Sequence, residues 1–112
     1  MAAEQLPAIT MRLATTTVEA MLAYAARATW PAGFVIYQRG ASAHGVFVVL
    51  EGRVILRSRV RAGRGYIPWI ATPSETFGAE GLSGTPRYST EARAGEETAT
   101  LFLGAGRIRA VG

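Results

Sequence analysis

The apolar residues of this chain follow two different periods. In residues 16–28 they recur at the spacing of an amphipathic helix, and the threonines that begin this segment can cap its first turn. From residue 34 onward they form short runs rich in β-branched and aromatic side chains, and glycines separate the runs. The pattern therefore predicts one short N-terminal helix followed by a domain built of β-strands.

Six of these runs are predicted to be strands. In the third run Val54 and Leu56 alternate with Ile55 and Arg57, which places a core face and a solvent face on one strand. Pro68 has no backbone N–H to donate, so the fourth run belongs at a sheet edge or beside a bulge. The six runs cover residues 34–38, 45–50, 53–60, 66–71, 89–94 and 97–103.

Short strands at this regular spacing are typical of a roll, a barrel or a sandwich. We expect a mainly β fold, an antiparallel β-roll of the double-stranded β-helix or jelly-roll kind. Residues 1–15 would form an N-terminal lead, and residues 16–112 a single domain with short helical termini, the last beginning near residues 107–111.

The composition excludes several kinds of chemistry. The chain has no cysteine, which rules out disulfides, thiolate metal sites and thiol nucleophiles. No apolar stretch is long enough to cross a membrane, and the N-terminus lacks the pattern of a signal peptide. We therefore expect a cytoplasmic protein without a membrane partner. All twelve basic residues are arginine, and the formal net charge of +4 permits a polyanionic partner without requiring one.

Five of the arginines fall in one predicted hairpin. A positive hairpin could face phosphates or the acidic surface of a partner, but charged side chains also discourage exposed strands from pairing with other chains. We interpret these residues as a solvated strand face. They are Arg53, Arg57, Arg59, Arg61 and Arg64.

A cupin-like enzyme is the alternative from a different functional class, because small all-β rolls often carry a metal. Such a site needs two or three histidines and a carboxylate, whereas this chain has a single histidine, His44, in a turn. A Ser-His-Asp triad is excluded because the chain contains no aspartate. We therefore expect no catalytic activity and no metal site.

The least ordinary segment is the glycine-rich stretch of residues 77–90. Glycines let backbone N–H groups approach an anion, a helical turn would add its dipole, and an arginine can hold phosphate oxygens through two N–H groups. The same residues also fit a tight connection whose arginine pairs with a surface glutamate. The candidate ligand-binding residues are Gly78, Ala79, Glu80, Gly81, Leu82, Arg87, Tyr88 and Ser89.

Four segments in a fixed order carry a family resemblance. They are FVIYQRG at 34–40, VFVVLEGRV at 46–54, PSETFG at 73–78 and GTPR at 84–87. Their order and spacing resemble the cyclic-nucleotide-binding domains of Crp/Fnr-type transcription regulators. Those domains carry a strand ending in Gln-x-Gly, a second ending in x-Gly-x-Val, a Pro-Gly-Asp/Glu-x-Phe-Gly turn and a cassette that closes on Pro-Arg.

This resemblance implies an eight-stranded β-roll that holds a nucleotide. In the family, a glutamate directly after the cassette glycine binds the ribose hydroxyl and an arginine binds the cyclic phosphate. Gly78 and Arg87 match the glycine and the arginine, but Ala79 takes the place of the glutamate and the acid follows at Glu80. The cassette of this chain, which lies within the glycine-rich residues 77–90, is also one residue shorter than in the family. Tyr88 stands where members that bind cyclic AMP often carry a small residue, and its phenol could fill part of the purine or phosphate space.

The resemblance implies an effector-sensing domain whose ligand is a cyclic nucleotide similar to cyclic AMP, or another small anionic effector. The alternative is a structural or interaction module that kept the roll and lost its ligand. Full regulators continue into a dimerisation helix and a helix-turn-helix domain, whereas this chain stops at Gly112. We therefore expect DNA binding only through the C-terminal domain of a longer protein, and a dimer only with the dimerisation helix.

Overall fold

The structure is a computed structural model that describes residues 10–59, 66–84 and 86–106. The described residues form one α-helix, eight strands and a short 3₁₀ turn. In chain order they are α1 (Thr15–Met21), β1 (Ala26–Trp30), β2 (Val35–Tyr37), β3 (Gly45–Glu51), β4 (Val54–Arg59), β5 (Tyr66–Ala71), β6 (Thr76–Phe77), the 3₁₀ turn (Ala79–Leu82), β7 (Glu91–Ala94) and β8 (Thr98–Gly104). The predicted helix at 107–111, and Arg61 and Arg64 of the arginine hairpin, lie outside the described residues.

The strands form two antiparallel four-stranded sheets. The first sheet has the order β1-β8-β3-β6, and the second has the order β2-β7-β4-β5. Apart from the β4–β5 hairpin, each strand is followed in the chain by one in the other sheet. The chain therefore winds around a common interior, and the prediction of a mainly β fold, an antiparallel β-roll, is confirmed.

The main core lies between the two sheets. It contains Val54 and Leu56, which are fully buried as the alternation of the third run predicted, together with Phe77 of β6. A second cluster lies on the outer face of the first sheet, where Val18 and Met21 of α1 pack against β3 and β8. Apolar side chains on both faces of the first sheet are thus removed from water.

The helix is shorter than the pattern of 16–28 indicated. It covers Thr15–Met21, and Ala26–Trp30 is strand β1, which pairs with β8. The end of the β1 pairing is strengthened by Trp30, whose indole N–H donates to the Thr100 hydroxyl at 3.0 Å. Alanines favour a helix, but the hydrogen bonds offered by an open edge of the sheet outweigh that local preference.

Pro68 confirms a prediction, whereas Ser74 is a departure from the family motif. Pro68 lies in β5, which is an edge strand of the second sheet, as its missing N–H predicted. Ser74, in the turn before β6, has φ 74°, although the family motif carries glycine at this point. The Ser74 N–H donates to the Val49 carbonyl at 2.8 Å, which holds the turn against β3 and directs β6 toward the cassette.

Candidate functional site

The candidate site begins where β6 ends at Gly78. This glycine has φ 75°, a left-handed conformation that other residues rarely adopt. An added Cβ would lie 3.2 Å from the Tyr37 and Phe47 rings and 3.3 Å from the Tyr88 ring. A glycine is therefore needed to turn the chain from the sheet into the cassette without displacing three aromatic rings.

The predicted helical turn is present as the 3₁₀ turn Ala79–Leu82. Gly81 packs so closely on β3 that an added Cβ would lie 2.2 Å from the backbone nitrogen of Gly45. Leu82, by contrast, is 51% exposed. The turn is thus fixed to the first sheet by a contact between two glycine backbones, while its far end faces solvent.

After the turn, an extended segment pairs with residues 40–43. The Tyr88 N–H donates to the Ala41 carbonyl at 3.0 Å, and Gly40 N–H donates to the Tyr88 carbonyl at 2.8 Å. Along this segment the side chains alternate, so Arg87 and Ser89 are exposed while Tyr88 and Thr90 are buried. The pairing with 40–43 therefore decides which cassette side chains enter the roll.

Tyr88 occupies the roll interior beside the cassette. Its ring stacks on Tyr37 with 3.5 Å between the ring centroids and 7° between the planes. The ring centroids of Phe77 and Tyr37 are 6.1 Å apart, and Tyr37, Phe77 and Tyr88 all belong to the main core cluster. Burial raises the pKa of both phenols, with the Glu80 charge adding to the effect. Both rings are therefore neutral near pH 7.

Arg87 lies on the opposite side of the same segment. Its Nη1 donates to the Gly40 carbonyl at 3.0 Å, and it borders an open depression together with Ser42, His44 and Pro86. Within residues 10–59, 66–84 and 86–106, no carboxylate lies within ion-pair distance of this guanidinium. The arginine that the resemblance assigns to a phosphate thus faces outward rather than into the roll.

Glu80 is engaged inside the cassette. Its Oε2 accepts a hydrogen bond from the Ser89 backbone N–H at 3.0 Å and a second, short one from the Ser89 hydroxyl. This contact ties the 3₁₀ turn to the extended segment and closes the cassette on itself. Ala79, the neighbour of Glu80, offers only a methyl group at the position where the family places a carboxylate.

The structure places the predicted site residues in different surroundings. Gly78, Gly81 and Tyr88 are buried. Glu80 is bonded to the exposed Ser89, and Ala79, Leu82 and Arg87 are exposed. Sequence reasoning missed Tyr37, which forms the other half of the aromatic stack. Other residues of the aromatic group are Phe47, Phe77 and Phe102.

The described residues offer neither a metal site nor a membrane-spanning helix. Among the described residues, no group of three histidine, cysteine, aspartate or glutamate side chains is placed to hold a metal ion. His44 is exposed, as expected for a turn residue. In that same part of the chain no helix has the length and apolar character needed to cross a membrane.

Comparison with known proteins places this geometry in a family. The cyclic nucleotide-binding domain matches residues 27–111 of the chain. No curated protein matches the amino-acid sequence of this chain. Among solved structures, the chain is similar to the N-terminal domain of a transcriptional regulator from Streptomyces coelicolor A3(2), with 24% identity and a TM-score of 0.74 over 88% of this chain and 68% of that chain.

Two longer regulators have the same fold. The Thermus thermophilus catabolite activator protein is 28% identical with a TM-score of 0.76, over 88% of this chain and 46% of that chain. The c-di-GMP responsive global regulator CLP of Xanthomonas campestris is 18% identical with a TM-score of 0.77, over 88% of this chain and 48% of that chain. The chain thus spans about half the length of these regulators. The resemblance seen in the four sequence segments is confirmed, and this chain belongs to the cyclic nucleotide-binding domain family.

Proposed function

We propose that this chain is a regulatory domain of a Crp/Fnr-type transcription regulator in which Tyr88, not a cyclic nucleotide, occupies the roll interior. The observation that carries the proposal is the Tyr37–Tyr88 stack, whose ring centroids are 3.5 Å apart. That spacing is already van der Waals contact, so no purine fits between the two rings. Tyr88 is also only 7% exposed and packs within the main core.

A nucleotide that entered this interior would first have to displace Tyr88. Exposing a buried aromatic side chain costs roughly 1.5–3 kcal/mol, and each 1.4 kcal/mol weakens binding about tenfold. Even a ligand with otherwise good contacts would therefore bind about ten- to a hundredfold more weakly than it would to an open roll.

The polar groups of the cassette support the same interpretation. Ala79 has no oxygen to accept a bond from a ribose hydroxyl. The carboxylate of Glu80 already accepts two hydrogen bonds from Ser89. Arg87 is directed toward Gly40 on the outer side. Neither of the two family roles, ribose binding by a glutamate and phosphate binding by an inward arginine, is thus filled in this conformation.

Sensing of a small anionic effector through Arg87 is the second candidate function. The guanidinium donates to the Gly40 carbonyl through Nη1, and its exposed fork leaves further N–H groups available to an anion in the depression beside Ser42 and His44. If backbone donors of residues 78–82 and Arg87 together held a cyclic nucleotide, the segment around Tyr88 would have to rotate so that Arg87 points inward and Tyr88 outward.

The setting proposed for this domain follows from its relatives. We place it in the cytoplasm, as a binding domain without catalytic activity, and assign contact with DNA and tight dimerisation to a separate part of a longer regulator. The Thermus thermophilus catabolite activator protein, of which the chain covers 46%, supports this arrangement.

Calorimetric titration with cyclic AMP and cyclic GMP tests the main proposal. The wild-type chain should bind neither nucleotide with a dissociation constant below about 1 mM, which corresponds to roughly 4 kcal/mol of binding free energy. The double variant Tyr88→Ala/Ala79→Glu opens the interior and supplies a carboxylate, so it should gain measurable affinity. Micromolar binding by the wild type would contradict the proposal.

The variant Arg87→Ala tests the second candidate function, the sensing of an anionic effector. If an anionic effector such as a cyclic nucleotide binds the wild type through this residue, Arg87→Ala should weaken binding by about ten- to a hundredfold, since charge-assisted bonds contribute roughly 1.5–3 kcal/mol each. Arg57→Ala, on the second sheet, is the matched control and should change the affinity little. Equal binding by the wild type and Arg87→Ala would exclude the arginine from the site.

A further inference from the structure

The outer faces of the two sheets are covered differently. On the first sheet, α1 packs Val18 and Met21 against Val48 and Leu101, so the apolar side chains on that face are buried. On the second sheet, no described residue outside the sheet forms a comparable cluster on the outer face. Within the described part of the chain, the second sheet thus has one face in the core and one face without such a cover.

This open face carries aliphatic side chains. In β4, Ile55 lies between the fully buried Val54 and Leu56, so its side chain points to the outer side. Ile55 is directly opposite Ile70 of β5, which is 54% exposed. Pro68, two residues before Ile70, is also exposed. Ile55 itself is half-buried, so the face combines one half-buried and two exposed apolar side chains that are close to one another, a larger apolar patch than isolated surface residues form.

The same face is positively charged. Arg93 of β7 is opposite Ile55, and Arg57 of β4 is opposite Pro68 and Glu91. Glu91 forms ion pairs with both arginines, at 3.9 Å to Arg57 and 3.3 Å to Arg93, so one carboxylate is shared by two cations. Among the described residues of this face, two arginines thus share one carboxylate, and the net charge of Arg57, Glu91 and Arg93 is positive.

We infer that this face, formed by Ile55, Arg57, Pro68, Ile70 and Arg93, is a docking surface for an acidic protein segment that carries apolar side chains. The arginines match carboxylates, and the aliphatic residues give such a segment apolar area to bury. Phosphate backbones would leave Ile55 and Ile70 without partners. A second copy of the face would bring like charges together.

The occupant lies across the face rather than extending the sheet as a further strand. β5 is the edge strand on this side, and Pro68 in its middle has no N–H for the hydrogen-bond ladder that strand addition requires. Binding is thus expected to depend on side chains of the face. The inference stands independently of the nucleotide question, because none of these residues belongs to the cassette.

The experiment is a titration of the ¹⁵N-labelled chain with a synthetic peptide of glutamates and interspersed leucines, followed by amide chemical shifts. The shifts should map to β4, β5 and β7. Two control peptides, one with lysine for each glutamate and one with serine for each leucine, should bind at least about tenfold more weakly. No shifts in these strands at millimolar peptide would overturn the inference, and so would equal binding of the serine peptide.

Variants identify the residues responsible. Ile70→Ser and Arg57→Gln should each weaken peptide binding about three- to tenfold. Leu22→Ser, just after α1, and Arg27→Gln on β1 remove an exposed apolar and an exposed basic residue elsewhere, and both should leave the affinity unchanged. If Arg57→Gln lowers the melting temperature, Arg93→Gln replaces it, because it removes the other arginine of the face. If duplex DNA displaces the peptide and binds the same strands more tightly, the face is a nucleic-acid surface and the inference is wrong.

Discussion

Arg87 and Tyr88 are consecutive residues whose side chains lie on opposite sides of the roll wall. Arg87 is exposed and donates to the Gly40 carbonyl, whereas Tyr88 is buried against Tyr37. Extended backbone sends successive side chains to opposite faces, so a shift of one residue exchanges the one that points inward. In this structure the inward position of the segment is held by Tyr88, and its neighbour Arg87 is left on the outer side.

Removal of the Tyr88 ring should therefore cost stability. Tyr88→Ala should lower the free energy of unfolding by about 3–5 kcal/mol, the usual range for deleting a buried aromatic side chain. Tyr88→Phe keeps the stacked ring and should change it by less than about 1 kcal/mol. Urea unfolding followed by circular dichroism gives both values. A small loss in Tyr88→Ala would mean that the ring does not support the core.

The contact between Gly81 and Gly45 gives a second prediction. Gly81→Ala would place a methyl group 2.2 Å from the Gly45 nitrogen, and a backbone atom cannot move aside as a side chain can. The free energy of unfolding should fall by about 1–3 kcal/mol. Gly84→Ala is the matched control, because an added Cβ there meets nothing within 4 Å. Equal effects of the two variants in urea unfolding would show that the 3₁₀ turn is not held by this contact.

The bond between Glu80 and Ser89 is predicted to hold the cassette closed. In a double-mutant cycle of Glu80→Ala and Ser89→Ala, the coupling energy should be about 0.5–1.5 kcal/mol, since Ser89→Ala removes the hydroxyl bond to the carboxylate at a partly exposed site and keeps the backbone N–H bond. The exposed pair of Arg53 and Glu96, 3.7 Å apart, is the control and should couple by less than about 0.5 kcal/mol. Unfolding free energies of the four variants in each cycle test this.

Much of the fold could be predicted because its pattern is local. The alternation of Val54 and Leu56 with outward residues predicts which face of β4 is buried. The missing N–H of Pro68 predicts that β5 lies at a sheet edge. Strand β1 was missed because its alanines favour a helix, and its strand conformation depends on β8, about seventy residues away.

The cassette was located from sequence, but the direction of its side chains was not. Whether Arg87 or Tyr88 enters the roll depends on hydrogen bonds to Gly40 and Ala41, which belong to a distant part of the chain. Tyr37 was missed as a member of the site for the same reason. Its position within the predicted strand at 34–38 indicates which face of the sheet its side chain occupies. That its ring stacks on Tyr88 is visible only in the folded roll.

The turn before the cassette should make stability depend on pH. The Glu75 carboxylate accepts bonds from the Thr72 N–H at 2.7 Å and the Thr72 hydroxyl at 2.9 Å, and it pairs with Arg12 at 3.4 Å. The Thr72 backbone bond is the main reason that the pKa of Glu75 lies below its ordinary value, with the hydroxyl and Arg12 adding to it. Folding therefore favours the charged form of this group.

The sign of the effect follows from this lowered pKa. The stabilising contribution is present above the pKa of the unfolded chain and is lost as the pH falls through the lower pKa of the folded state. Glu75→Gln should reduce stability near pH 7 and flatten its decline toward acid. Thr72→Val removes only the hydroxyl bond and keeps the backbone donor, so it should flatten the decline less. Urea unfolding of the three proteins from pH 7 to about pH 3 measures this order. If Glu75→Gln and the wild type have the same pH profile, the bonds to Glu75 do not contribute to the stability of the turn.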